Sequence, residues 1–167
     1  MDQLLERYLN DHHAAACGAI KLVGALSERQ EEEMEQIFYE NLKSIIEDDR
    51  KLLESLLEKA SMEKSLTLQV AGQLAESASR LKLLWEGLEP GGLGMFEALE
   101  VLTLGLQGKR LLWVMLGELA PYFPEWRGVD FAALELAAIQ QRDEVEKRRI
   151  EHGYDALLDS KRRAARN

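Results

Sequence analysis

The sequence predicts an all-α fold, a single helical-bundle domain over residues 1–167. Three observations carry this. The three prolines, Pro90, Pro121 and Pro124, are clustered in two places. The stretches between these breaks are rich in Leu, Ala, Glu, Lys and Arg, residues that lose little on entering a helix. No segment alternates polar and apolar residues for long enough to form a strand. At 46% hydrophobic composition, the 167 residues can build one sizeable core.

The first helix is expected from Gln3 to Leu26. Its apolar seam reads Leu5, Leu9, His12, Ala16, Ala19, Val23, Leu26, a heptad spacing that contains one histidine. Ser27 followed by Gln30 matches a capping box and predicts the start of the second helix. Five glutamates between Glu28 and Glu35 would then favour that helix start through the dipole. The second seam is Phe38, Leu42, Ile45, Asp49, Leu52, Leu56, ending near Ala60. A third helical stretch spans roughly Leu66 to Trp85, followed by the loop Glu89-Pro90-Gly91-Gly92. The next helix, Gly94 to Ala120, is apolar on nearly all sides, which predicts a central, largely buried position. Asp130 can cap the last helix, expected to run to Ala165. Its seam is Phe131, Leu134, Ala138, Gln141, Val145, Arg148, His152. A second stripe of Leu136, Ile139, Ile150, Tyr154 and Leu157 faces elsewhere, and would cover the crossover segment or a second subunit.

Charge narrows the function classes. Thirty carboxylates against 21 Lys and Arg give −9, which disfavours nucleic-acid and anionic-membrane partners. Seven Lys and Arg against four carboxylates from Glu146 onward leave that tail at +3. An acidic body and a basic tail could pair between subunits, so a homodimer is expected. The start lacks a basic-then-apolar signal region, and no apolar run approaches the ~20 residues of a membrane span. A cytoplasmic location is the expectation.

Tight linkage makes helices one and two an antiparallel hairpin, and a connection of about nine residues makes the last two helices a second hairpin. The helical segment between Ala60 and Gly94 is long enough to cross ~30 Å of bundle. An up-and-down five-helix bundle is the alternative with the same helix list. In helix order and lengths the chain resembles the ferritin-like superfamily. The likeness to a group of short bacterial helical proteins rests on Tyr8-Leu9-Asn10-Asp11-His12, Glu47-Asp48-Asp49-Arg50, Glu100 with Gly105-x-x-Gly108-Lys109 and Trp113, and Gln141-Arg142. This resemblance implies a four-helix bundle of hairpin, helical crossover and hairpin, and brings no activity with it.

The ferritin-type diiron ligands do not carry over. Glu-x-x-His is missing: Leu9, Asn10 and Arg149 stand three residues before His12, His13 and His152. Polar residues nevertheless interrupt the seams at one level. His12 and Gln141 lie at matching distances along their helices, Asp49 one turn away, and Gln107, Lys109 or Arg110 at a similar height. The candidate centre is His12, Asp48, Asp49, Glu100 and Gln141, with Glu100 nearer the end that holds Arg148 and His152. Three interpretations stand: a buried hydrogen-bond network fixing register, a metal or small-ligand site, or a groove open to solvent. No cofactor is called for, and the second interpretation would hold at most one divalent ion. His13 lies off the main seam. Cys17 has no histidine partner in sequence, and neither a nucleophile elbow nor a Walker loop is present. The expected role is structural or interactive more than enzymatic; the alternative is a metal- or small-ligand-binding bundle, and an enzyme that uses the same centre follows only from that alternative.

Overall fold

A computed structural model of the chain describes residues 3–60, 87–159 and 162. Four long helices form where the heptad seams predict them: α1 (Gln3–Glu28), α2 (Glu33–Ala60), α3 (Leu93–Leu119) and α4 (Phe131–Leu157). Two single 3-10 turns, Ala120–Tyr122 and Pro124–Trp126, join α3 to α4. No strand occurs among the described residues. The predicted helical stretch from Leu66 to Trp85 lies outside them.

The ends of the helices depart from the sequence pattern in two places. Ser27 does not cap α2. It is buried inside α1, and its hydroxyl donates to the Gln36 carbonyl. Gln30 reaches back to the Leu26 carbonyl at 3.0 Å and so closes α1. The cause is burial: Leu26 and Ser27 both face the core, so α1 continues through Glu28. Only Glu33 and Glu35 of the glutamate run then stand in the first turn of α2. α4 stops at Leu157, short of the expected Ala165. Leu158 leaves the helix at φ −106°, ψ 136°, and Asp159 accepts from the Arg162 amide at 2.8 Å, as a new N-cap does. Asp130 caps α4 as expected, accepting from the Ala133 amide at 2.9 Å. At the entry to α3, the Gly87 carbonyl lies 2.3 Å from where a Cβ on Gly94 would stand, so only glycine fits there.

Antiparallel pairing joins α1 to α2 and α3 to α4, while α2 and α3 point the same way. The early residues of both, Tyr39, Leu42 and Ile46 with Met95, Leu99 and Leu102, share one apolar cluster with Leu22, Val23 and Val145. Their late residues, Leu53 and Leu56 with Leu112, Trp113 and Leu116, share a second cluster with Leu9, Trp126 and Ala138. Trp126 ties the two hairpins together, its indole N–H donating to the Leu56 carbonyl at 3.2 Å. Arg148 of α4 grips Glu35 of α2 through two bonds of 2.8 and 3.0 Å and lies over the Phe38 ring.

Two seams need correction. In α2 the buried positions are Tyr39, Leu42, Ile46, Leu53, Leu56 and Leu57; Leu42 and Leu56 are as predicted, while Tyr39, Ile46 and Leu53 stand one residue on from the predicted Phe38, Ile45 and Leu52. Asp49 keeps its place in this true heptad. α3 is not buried all round: Val101, Leu104, Leu111 and Met115 are exposed, Leu104 to 72%. On α4, Leu136, Ile150 and Leu157 of the second stripe are exposed as expected, and Ile139 is half-buried.

Candidate functional site

The two apolar clusters meet at a polar level. Asp49 falls between Ile46 and Leu53 in α2, Lys109 between Leu106 and Leu112 in α3, and Gln141 between Ala138 and Val145 in α4. The Lys109 ammonium donates to Asp49 Oδ2 at 2.6 Å and to Gln141 Oε1, linking three helices through one atom. Side-chain exposure is 12% for Lys109 and 16% for Asp49. Burial pushes the Lys109 pKa below its usual value, against the opposing pull of Asp49. A buried ammonium without such partners would cost several kcal/mol (order of magnitude), which is why the acceptors converge on it.

α1 brings little bulk to this level. Its contribution is His12, Ala15, Ala16 and Ala19, and α3 opposes it with Gly105. The missing side-chain volume leaves a cavity of about 60 Å³ between α1, α2 and α3, open to solvent beside the exposed Gly105. Asp49, Arg50, Lys109 and Trp113 also line it, and the rest of the wall is apolar. Trp113 is 1% exposed, and its indole N–H is buried without a hydrogen-bond partner among the described residues.

The predicted site residues separate. Asp49 and Gln141 come together on Lys109. His12 lines the cavity but bonds neither of them; it meets Tyr8 edge-on at 4.7 Å between ring centroids. Burial lowers the His12 pKa, with Asp11 opposing, so its imidazole is neutral at neutral pH. Asp48 is exposed and pairs with Lys51 at 2.9 Å. Glu100 lies toward the other end of the bundle, where it accepts from Arg149 at 3.1 Å. Neither belongs to the centre. The buried histidine is instead His13, 5% exposed, whose Nε2 sits 2.7 Å from Glu54 Oε1, which Arg50 also engages. The adjacent histidines differ by ~100° around α1, enough to exchange an expected partner for an unexpected one.

Chemically, the centre is a hydrogen-bonded cation. Asp49 and Gln141, the oxygen donors a metal ion would use, are occupied by an ammonium from the chain itself. Among the described residues no three His, Cys, Asp or Glu side chains converge as metal ligands. Burial raises the Cys17 thiol pKa, which suppresses the reactive thiolate. No described helix is long and apolar enough to cross a membrane. In comparisons with known proteins, no family model, curated protein or solved structure matches the chain.

Proposed function

We propose that this protein is an interaction module, a four-helix bundle of ferritin-like connectivity that works as a homodimer through the outer face of α3. The observation that supports it is the heptad seam Val101, Leu104, Gly108, Leu111, Met115, whose four large side chains are exposed around a half-buried Gly108. These positions lie on the side of α3 away from Leu102, Leu106 and Lys109. The strip is uncharged, in a chain that carries −9. Two copies approaching by an acidic face repel each other; approaching by this strip they do not. The seam extends seven residues to either side of Gly108, with Leu104 four before it and Leu111 three after, and a Cβ at Gly108 would meet nothing within 4 Å. An antiparallel two-fold pairing therefore sets Gly108 against its counterpart and lets the backbones approach closely. The carboxyl-terminal basic residues contribute less than their number suggests, because Arg148 and Arg149 are engaged by Glu35, Glu100 and Glu146 of the same chain.

Sedimentation velocity across a concentration series tests the assembly. The expected species has twice the 19.0 kDa chain mass, and Leu104→Glu with Leu111→Glu returns it to single chains with unchanged helical circular dichroism. A wild-type protein that stays at one chain mass overturns the homodimer and gives the face to another occupant.

A further inference from the structure

The cavity on the opposite side of α3 carries an assignment of its own, and either can fail without the other. We propose that it binds a short-chain monocarboxylate, with the carboxylate at the Lys109 and Trp113 end and the alkyl chain against Ala16, Ala19 and Gly105. Hydrogen-bond arithmetic sets the headgroup. Lys109 has three N–H donors, of which Asp49 and Gln141 take two. Trp113, one helical turn on and on the same face, has a buried N–H without an acceptor among the described residues. Arg50, also in the lining, gives one N–H to Glu54 and keeps others. Against these donors the lining offers the single carboxylate of Asp49. The charges of Lys109 and Arg50 are already answered by Asp49 and Glu54, so what the site lacks is acceptors for its spare N–H donors, and a carboxylate brings two oxygens to them.

Volume sets the tail. The 60 Å³ cavity accepts about four to six water-sized spheres. Propionate and butyrate have a matching number of heavy atoms. The wall beyond the polar end is alanine, glycine and leucine, which favours an alkyl chain over hydroxylated or amino acids. Bulk water could occupy the polar end, but it would leave the apolar end unfilled.

The test titrates sodium butyrate into ¹⁵N-labelled full-length protein and follows the Trp113 indole N–H resonance, assigned by its loss in Trp113→Phe. Butyrate is expected to shift that resonance saturably, with a dissociation constant of order 1 mM for so small a ligand. Gly105 is exposed at the mouth of the cavity and a Cβ there would meet nothing within 4 Å, so the longer side chain of Gly105→Leu can fold across the opening and take up the ligand's space. It is expected to weaken butyrate at least about tenfold while melting as a folded helical protein. Should that variant fail to fold, Gly105→Ala serves, with a smaller loss. Butylammonium is expected to leave the resonance unmoved, and 1-butanol to bind more weakly than butyrate. An unsaturable or absent shift with butyrate, equal binding of either control, or undiminished binding by the filled variants overturns the proposal.

Discussion

The inner and outer faces of α3 each reverse the usual distribution of side chains. Inside, Lys109 puts a charge between two apolar clusters. Outside, Val101, Leu104, Leu111 and Met115 put large apolar groups in solvent. The two reversals differ in what answers them. Lys109 has Asp49 and Gln141, so its burial is compensated within the chain. A buried charge that is fully paired is weak evidence for function and good evidence for a fixed helix register. An apolar seam at heptad spacing, left exposed, calls for something outside the described bundle.

The largest contrast should come from neighbouring leucines. Leu106→Ala, at a residue 2% exposed, should cost about 2–5 kcal/mol in equilibrium unfolding. Leu104→Ala, measured at concentrations low enough to favour single chains, should stay within about 0.5 kcal/mol. Equal costs would erase the distinction between the faces. Next comes the charge. Asp49→Ala should destabilise by roughly 1–3 kcal/mol, because the ammonium loses its carboxylate. The pair Asp49→Leu with Lys109→Met should regain most of that loss, since an apolar layer replaces an orphaned ion. If Asp49→Ala leaves the denaturant midpoint unchanged, the ion pair does not hold the register.

Smaller effects sharpen the comparison. Gly105 and Gly108 both have open space at the Cβ position. Gly105→Ala and Gly108→Ala should each raise single-chain stability by about 0.5–1 kcal/mol through helix propensity. Only Gly108→Ala should also weaken association, and only slightly, because a small side chain there moves the paired backbones apart without removing the contacts of Leu104 and Leu111. The smallest expected effect is a pH dependence. The folded pKa of His12 lies below the ordinary 6.5 because burial disfavours the imidazolium. As pH falls below 6.5 the unfolded chain takes up this proton first. The stability contribution of neutral His12 is thus full above that pH and is lost as pH falls through the lowered folded value. His12→Gln should flatten the stability profile in that window. An unchanged profile would show that His12 titrates alike in both states.

Much of this organisation is legible in the sequence. Asp49 and Gln141 stand out because each interrupts a long apolar heptad, and helix rise alone puts Lys109 near their level. The histidines are less legible. Choosing between His12 and His13 requires the rotation of α1 to better than one residue, and a 3.6-residue helix drifts against a 3.5-residue count. The same drift moved the α2 seam from Ile45 to Ile46. The capping pattern at Ser27 failed for another reason: tertiary burial of Leu26 and Ser27 outweighed a local signal. The two faces of α3 are indistinguishable from composition, since Leu104 and Leu106 are the same residue two places apart. Packing against α1, α2 and α4 decides which is inside.

Oxidative cross-linking at the seam centre tests the pairing of α3 most directly. Gly108→Cys, in a Cys17→Ser background, places one thiol where a two-fold pairing brings its counterpart within the ~4.4–6.8 Å between α-carbons that a disulfide requires. Rapid formation of a covalent dimer is expected, with Asp143→Cys on the exposed surface of α4 remaining single under the same mild oxidation. Absence of a Gly108→Cys cross-link, or equal cross-linking of Asp143→Cys, would contradict an α3-to-α3 interface.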